Sequence, residues 1–338
     1  MLKGPVTAMA DDATPRTDTT PAPTPATPAA GPGPDTPTLA EAPEATPAAS
    51  GPPARSGTGP SPEEVGAMYD EFGDMLAMTL GGAAVHVGLF VPHNTPNRAP
   101  TLVDVADLAQ ERQTDFLIDT LDAQGATRLL DIGCGTGGPA LRLAQRTGAR
   151  VTAVTVSRQQ LAQAQERAST QGLAEQVTFE HGDAMNLAYA DASFDAAWSI
   201  DCFAHLTDRP AGLREARRVL RPGGHFLLTE FSRRGTPPAE DEAAFTRLWA
   251  SPPPTPFATL LAEVGEAGYE ILTVRDMTPN MVLGGEVMAH LYQDRHAEIE
   301  ERYGKEAMAY TDALIGPYRR FCRDYLEYHV LVLRVPGD

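Results

Sequence analysis

The sequence predicts an α/β fold in which a largely parallel sheet is covered by helices on both faces. Short apolar runs alternate with longer amphipathic runs from residue 128 onward. A glycine-rich turn at residues 133–139 directly follows the first apolar run. Strands that alternate with helices form parallel sheets, because each crossover helix returns the chain to the same edge.

The N-terminal part of the chain is predicted from its composition and its helix caps. Residues 1–60 consist mostly of Pro, Ala, Thr, Gly and Ser, and they predict a disordered tail because they cannot bury enough apolar surface. Ser61 and Glu64, with a proline between them, predict a capping-box start for a helix. Apolar residues at helical spacing predict a second helix over 102–124. We expect residues 61–127 to form a helical cover.

The core is expected over residues 128–338. After the first strand, which begins at 128, strands are predicted at 149–156, 177–184, 194–201, 224–231, 269–277 and 327–335, and helices at 157–172, 209–220 and 257–268. Two insertions interrupt the alternation, at about 235–256 and 280–326. Insertions in such folds commonly cover the ligand cleft, so both are predicted to be lids.

Composition excludes several classes of function. The net charge of −18 argues against a nucleic-acid partner, because binding to the phosphate backbone depends on Lys and Arg. Three widely spaced cysteines indicate neither a zinc site nor a disulfide framework, and no metal is expected. Without a long apolar run or a signal-peptide core, a cytoplasmic protein without a membrane partner is expected. An N-terminal helix that packs on a second copy leaves a homo-oligomer open.

The glycine-rich turn has two interpretations. Its glycines fit the dinucleotide-binding pattern nominally, at Gly133, Gly135 and Gly138. However, Asp131 lies two residues before the first glycine, at the end of the strand, where a carboxylate would repel a pyrophosphate. A carboxylate there suits a ligand that carries an ammonium group.

Four motifs, in order, carry a resemblance to a known family. "LLDIGCGTGG", "VTAVTVSRQQ", "GDAMNLAYADASFDAAWSID" and "REARRVLRPGGHFLLTEF" resemble the motifs of class I S-adenosylmethionine-dependent methyltransferases. The likeness covers roughly Pro62 to the C-terminus. It is strongest to enzymes of bacterial natural-product biosynthesis, the group of the rebeccamycin sugar methyltransferase, the teleocidin C-methyltransferase and the spinosyn-pathway cyclase. The resemblance implies a Rossmann-like seven-strand sheet with an antiparallel last strand, and S-adenosyl-L-methionine as cofactor.

The resemblance also implies cofactor-binding residues. Gly133 and Gly135 would let the backbone approach the methionine part, and Asp131 would support the loop or reach the ammonium through water. Asp183 would accept from the adenine amine, and the residues that line the base and the remaining cofactor surroundings would be Ala184, Met185, Asp201 and His86.

The ribose site departs from the usual pattern of the family. Thr155 stands where an acid normally accepts from both ribose hydroxyls, and a hydroxyl cannot replace a carboxylate in that role. The sequence here is similar to the cyclopropane-fatty-acid synthase branch, in which Ser157 and Gln160 match the variant pattern. Gln160 is therefore the expected ribose ligand. The missing acid also argues against a nicotinamide dinucleotide.

The reacting groups are expected in the loops after the fourth and fifth strands. By resemblance to tailoring enzymes, His205 is the expected base and Glu230 its acidic partner, although Ala204 stands where a relative has a second histidine. Tyr69, in "MYDEF", matches a position of relatives in the N-terminal segment that covers the cofactor and is a third catalytic candidate; for Tyr69 and His86 alike, a place in the core is the alternative. A structural role for His205, or a metal held by Asp201 and Glu230, is the weaker alternative.

These expectations converge on a methyltransferase that acts on an oxygen or a carbon of a hydrophobic polyketide or terpenoid. An alternative is a cyclase of the same fold, which binds S-adenosylmethionine and closes a ring in a polyene substrate. A cofactor-binding regulatory module is a third hypothesis, which the two predicted lids and the acid in the pocket disfavour.

Overall fold

The computed structural model describes residues 59–82, 84–90, 101–123 and 125–337. The disordered tail predicted for residues 1–60 therefore lies outside the described residues, apart from Gly59 and Pro60. Within the described part, the chain forms one seven-stranded sheet, in the order β3-β2-β1-β4-β5-β7-β6. Its strands are β1 (Arg128–Ile132), β2 (Arg150–Thr155), β3 (Val177–His181), β4 (Phe194–Ser199), β5 (Leu220–Arg233), β6 (Glu270–Asp276) and β7 (Leu326–Arg334).

Strand β7 runs antiparallel to both of its neighbours, β5 and β6, while β1 to β5 pair in parallel. The predicted Rossmann-like sheet with an antiparallel last strand is thereby confirmed. Its helices, among the described residues, are α1 (Pro62–Leu80), α2 (Leu102–Leu121), α3 (Gly138–Thr147), α4 (Arg158–Thr170), α5 (Arg209–Val219), α6 (Ala239–Leu248), α7 (Phe257–Glu266), α8 (Thr278–Asp294), α9 (His296–Tyr303) and α10 (Lys305–Asp324).

Local sequence signals account for most element boundaries. The capping box at the start of α1 is present: the Glu64 amide donates to Ser61 Oγ at 3.2 Å, and the Ser61 amide donates to Glu64 Oε2 at 2.7 Å. Strand β5 is longer than the predicted 224–231. The Gly223 amide donates to the Val335 carbonyl at 2.9 Å, so the Pro-Gly-Gly stretch stays in the sheet instead of ending it.

The two insertions contact each other above the sheet. The 235–256 segment contains α6, and the longer insertion contains most of α8 together with α9 and α10. Arg320 of α10 donates to Asp241 of α6 at 2.7 Å, and Asp241 is only 1% exposed. Phe245 of α6 also stacks on Tyr318 of α10. Through these contacts the two insertions pack against each other.

Candidate functional site

A cleft of about 740 Å³ lies at the carboxyl ends of β1, β2 and β4, where parallel sheets bind ligands. We call it the cofactor cleft. Pro60, Pro62 and Val65, at the start of α1, line its other side. The predicted cofactor residues that line it are Gly133, Gly135, Thr155, Gln160, Asp183, Ala184, Met185 and Asp201.

Asp131 lies at the inner end of this region, in a smaller recess with Gly133 and His86. Its side chain is buried, and Oδ2 accepts no hydrogen bond from the residues that the structure describes. Burial raises the pKa of the Asp131 carboxyl to about 7, and the Trp198 indole, although outside hydrogen-bonding geometry, opposes this to a smaller extent. A buried carboxylate oxygen without a donor matches the predicted ammonium ligand.

Gly133 needs to be a glycine for two reasons. Its φ is +86°, in the left-handed region, and a Cβ on it would lie 2.3 Å from Cβ of Cys202. The turn can therefore adopt this conformation beside Cys202 only if residue 133 has no side chain.

Replacing Gly133 with alanine should destabilise the protein by at least about 3 kcal/mol, because the strain of positive φ adds to the clash with Cys202. Gly148 is a matched control, since its φ is also positive, at +73°, with no described atom within 4 Å of the added Cβ. Gly148→Ala should cost only about 1–2 kcal/mol. Urea unfolding measures both variants, and equal costs would contradict the steric role of Cys202.

Thr155, Ser157 and Gln160 form one hydrogen-bonded unit between β2 and α4. Ser157 caps α4 by accepting from the Gln160 amide at 3.0 Å, and its hydroxyl donates to Asp70 of α1. Thr155 Oγ1 donates to Gln160 Oε1 at 3.1 Å. With Oε1 held in this way, Nε2 of Gln160 lies 4.0 Å from the position of a Cβ on Gly135. Thr155 and Ser157 therefore position Gln160, which presents a donor to the cleft.

Gln160→Ala should weaken the binding of S-adenosylhomocysteine by about 3- to 10-fold, the contribution of one neutral hydrogen bond. Gln163→Ala, on the exposed side of the same helix, is the matched control. Isothermal titration calorimetry measures both variants. If Gln160→Ala binds with the affinity of the wild-type protein, Gln160 is not a cofactor ligand.

At the far end of the cleft, Asp183 follows β3 by two residues. Its Oδ1 accepts from the Met185 amide at 2.8 Å. This contact holds the carboxylate at the edge of the cleft beside Ala184 and Met185. All three predicted adenine contacts are thus brought together.

An apolar chamber of about 790 Å³ adjoins the cofactor cleft. Tyr69, Val85, Asp201 and His205 line both spaces. Strand β5, both insertions and the N-terminal cover supply its apolar walls, which include Phe90, Phe231, Phe245, Trp249, Met281 and Met288. Ser251 was not expected from the sequence; it lines the chamber, and its buried hydroxyl has no hydrogen-bond partner among the described residues.

Tyr69 and His205 meet at the junction of the two spaces, although 136 residues separate them. The Tyr69 hydroxyl lies 3.0 Å from His205 Nε2, and His205 Nδ1 lies 3.5 Å from the Ala250 carbonyl. Because a carbonyl only accepts, Nδ1 carries the proton and Nε2 accepts from Tyr69. Burial, reinforced by Cys202 and Asp201, raises the pKa of Tyr69, so it remains a phenol. The pair offers an imidazole that can accept a proton.

Comparison with known proteins identifies the family. Residues 130–228 match the methyltransferase-domain family. The chain is 40% identical over 174 residues to 27-O-demethylrifamycin SV methyltransferase of Amycolatopsis mediterranei, covering 52% of this chain and 60% of that relative. It is 34% identical over 219 residues to O-methyltransferase rstn1 of Aspergillus nomiae, covering 64% of this chain and 94% of that one. The chain belongs to the S-adenosylmethionine-dependent methyltransferases.

A solved structure agrees with this assignment. The crystal structure of the 4+2 cyclase SpnF aligns with a TM-score of 0.71 at 31% identity, covering 86% of this chain and 100% of that chain. The methyltransferase fold and the predicted resemblance to natural-product enzymes are thereby confirmed. The chain spans less than two thirds of the bacterial relative named above.

Asp201 has a structural role in this methyltransferase that its sequence position does not reveal. Its Oδ2 accepts from the Val87 amide at 2.9 Å, and its Oδ1 accepts from Thr229 at 2.6 Å and Tyr328 at 2.7 Å. These donors hold a residue with a φ of +54° and tie the N-terminal cover to the core. Asp201 lines the cofactor cleft with its carboxylate already engaged, which does not favour a metal ligand.

His86 is similarly engaged. Burial lowers the pKa of His86 despite the nearby Asp201, so the ring is neutral near pH 7. Its Nδ1 then donates to the Val87 carbonyl at 2.7 Å, and Nε2 lies 3.2 Å from the Thr114 hydroxyl. The ring lines both the recess of Asp131 and the chamber.

Glu230 does not share a cleft with the Tyr69–His205 pair. It lines a separate cleft, where its Oε2 lies 3.9 Å from the Arg209 guanidinium. Instead of Glu230, Tyr69 on the N-terminal cover lies within hydrogen-bond distance of His205. Glu230 was expected in the loop after the fifth strand, but it lies within β5, where it pairs with His329. Successive strand residues point to opposite faces of the sheet, so its place in the strand decides which cleft it lines.

The part of the chain that the structure describes holds no cluster of His, Cys, Asp and Glu suited to a metal ion. None of its described helices has the length and apolar character needed to cross a membrane.

Proposed function

We propose that this methyltransferase transfers a methyl group from S-adenosylmethionine to a hydroxyl oxygen of a hydrophobic natural product, of polyketide or terpenoid type. The observation that carries the proposal is the junction at Tyr69 and His205, where the cofactor cleft opens into the apolar chamber. The names of both sequence relatives denote methyl transfer, and one of them denotes transfer to oxygen.

The residues present fit the cofactor. The free Oδ2 of Asp131 suits its ammonium, and the glycine turn allows its close approach. Gln160 would donate from Nε2 to the ribose, and Asp183 would accept from the adenine amine at the edge of the same cleft. When bound, S-adenosylmethionine supplies a methyl group activated by a positively charged sulfur.

The Tyr69–His205 pair would prepare the acceptor. His205 Nε2 takes the proton of the acceptor hydroxyl, either directly or through the Tyr69 hydroxyl, which passes its own proton to Nε2 as it receives one. The oxygen gains nucleophilicity as its proton leaves. Nδ1, facing the Ala250 carbonyl, keeps its proton throughout and orients the ring.

The two insertions would act as lids over this reaction. They contribute Phe245, Trp249, Met281 and Met288 to the chamber, so an apolar acceptor would displace water from the junction. Ser251 would offer a single polar contact to a hydroxyl or carbonyl of the acceptor. Holding the acceptor in one orientation is the main requirement for in-line displacement.

A cyclase is the second candidate, favoured by the likeness to SpnF. In that case the chamber would fold a polyene for ring closure, and the cofactor would remain unconsumed. The base at the junction favours methyl transfer, because ring closure alone requires no proton acceptor beside the cofactor cleft.

The deciding experiment uses S-adenosylmethionine labelled in its methyl group. The protein is incubated with a panel of polyketide and terpenoid alcohols, and with the same compounds carrying the hydroxyl as a methyl ether. Label in the product, with equal formation of S-adenosylhomocysteine, from the free alcohols alone supports the proposal. Label in the methyl ethers would indicate transfer to carbon, and isomerised substrate with intact cofactor would indicate a cyclase.

A further inference from the structure

A second cleft, of about 560 Å³, opens beside the apolar chamber and is closed on one side by Pro252, Pro253 and Pro254. We call it the proline-rimmed cleft. Ala204, Phe231 and Phe245 line both the cleft and the chamber, so the two spaces are adjacent. We propose that the proline-rimmed cleft binds a protonated amine carried by the acceptor substrate. The inference rests on the proposed function insofar as the acceptor occupies the chamber.

Glu230 provides the first observation for this site. Its side chain is 1% exposed, and Oε1 accepts from the Phe231 amide at 2.8 Å. Glu230 lines the proline-rimmed cleft, and its buried Oε2 has no hydrogen-bond donor among the described residues. A buried carboxylate oxygen without a donor is costly, so a ligand that donates a hydrogen bond there would be stabilising.

The charges in the cleft do not balance. Arg209 donates from Nε to Glu263 at 2.6 Å and from Nη2 to Thr255 at 2.7 Å. Its remaining nitrogen lies 3.9 Å from Glu230, beyond hydrogen-bond distance. Glu263 thus neutralises the guanidinium, and an ionised Glu230 leaves one negative charge in excess. A ligand with a single positive charge would restore the balance.

The walls of the cleft also favour a cation over an anion. Phe203, Phe231 and Phe245 line it, and aromatic faces attract organic cations. The three prolines of the rim carry no amide hydrogen and present only carbonyl acceptors. An anion would therefore meet two carboxylates and a guanidinium already paired with Glu263, whereas an ammonium group would meet acceptors and rings.

The pKa of Glu230 is consistent with this interpretation. Burial raises it to about 7, opposed by Arg209 and reinforced by Asp201 and Glu263. Nearby cationic ligands stabilise the ionised form of a carboxyl. Amine binding should therefore be stronger at pH 8, where Glu230 is ionised, than at pH 6.

The test compares 4-phenylbutylamine with 4-phenylbutanol, which have the same chain length, by calorimetry in the presence of S-adenosylhomocysteine at pH 8. The amine should bind about tenfold more tightly than the alcohol, and Glu230→Gln should abolish that difference. Glu266→Gln, an exposed acid on the same helix as Glu263, is the control and should preserve the difference.

Equal binding of the amine and the alcohol to the wild-type protein overturns the inference, as does a Glu230→Gln variant that keeps the preference. If that variant does not fold, the test is made on the wild-type protein alone. Its preference for the amine over the alcohol should be smaller at pH 6 than at pH 8, and an equal preference at both pH values overturns the inference. Methyl transfer to amine-free alcohols without an amine preference would leave the proposed function standing alone. An amine preference without any methyl transfer would support the amine site and contradict the proposed function.

Discussion

Asp131→Asn should weaken the binding of S-adenosylhomocysteine by about 10- to 100-fold, because its ammonium group would then face a neutral amide instead of a carboxylate. In the protein without cofactor, the Asp131 carboxyl has a pKa of about 7. The affinity of the wild-type protein for S-adenosylhomocysteine should therefore rise as the pH increases from 6 to 8, because Asp131 ionises over this interval. The affinity of the variant should be nearly independent of pH in this interval. Calorimetric titrations at pH 6, 7 and 8 measure both effects.

The same substitution should stabilise the cofactor-free protein. A carboxyl with a raised pKa in the folded state binds more protons there than in the unfolded chain. The folded state therefore loses stability as pH rises from about 4 through 7, and at pH 8 the ionised Asp131 is unfavourable by on the order of 2–4 kcal/mol. Asparagine removes this cost, so its free energy of unfolding at pH 8 should exceed that of the wild-type protein.

Glu230→Gln is the matched control for both measurements. Glu230 is also buried with a pKa raised to about 7, but it lies outside the cofactor cleft. Its replacement should likewise raise stability at pH 8 and leave the affinity for S-adenosylhomocysteine unchanged. If Asp131→Asn binds S-adenosylhomocysteine as the wild-type protein does at every pH, the ammonium role of Asp131 is wrong.

His205→Ala should lower kcat for methyl transfer by about 10²- to 10⁴-fold, the usual contribution of a positioned base. Tyr69→Phe removes the hydroxyl that donates to His205 and should lower kcat by about 10- to 100-fold. Because the two groups act on one proton, the double variant should be no slower than His205→Ala. The acceptor found in the panel assay serves as substrate, and rates are measured at saturating cofactor.

His290→Ala, an exposed histidine on α8, should keep the wild-type rate. The affinity for S-adenosylhomocysteine should change little in Tyr69→Phe and His205→Ala, which separates a chemical defect from a binding defect. Additive losses in the double variant would show that Tyr69 and His205 act independently. If His205→Ala keeps the wild-type kcat, His205 is not the proton acceptor.

The fold was predictable because its signals are local. Asp131 and the glycines that follow it mark the first turn, and the capping box at Ser61 marks the start of α1. Strand β5 was predicted too short, since the pairing of Gly223 with Val335 joins residues 112 positions apart in the chain. Such pairing depends on the completed sheet, which no local pattern encodes.

The candidate site was predictable only where the motif itself forms it. The glycine turn after β1, Gln160 in the first turn of α4 and Asp183 just after β3 line one cleft. The Tyr69–His205 contact was not foreseen as a pair, because α1 reaches the core through tertiary packing. The hydrogen bond from Tyr328 to Asp201 and the separate cleft of Glu230 were not foreseen either, because both depend on tertiary packing.

Helix α1 has two duties that are mechanically linked. Its first turn closes the cofactor cleft, and two turns later it delivers the Tyr69 hydroxyl to His205. Any displacement of α1 that opens the cofactor cleft would therefore also move the Tyr69 hydroxyl relative to His205.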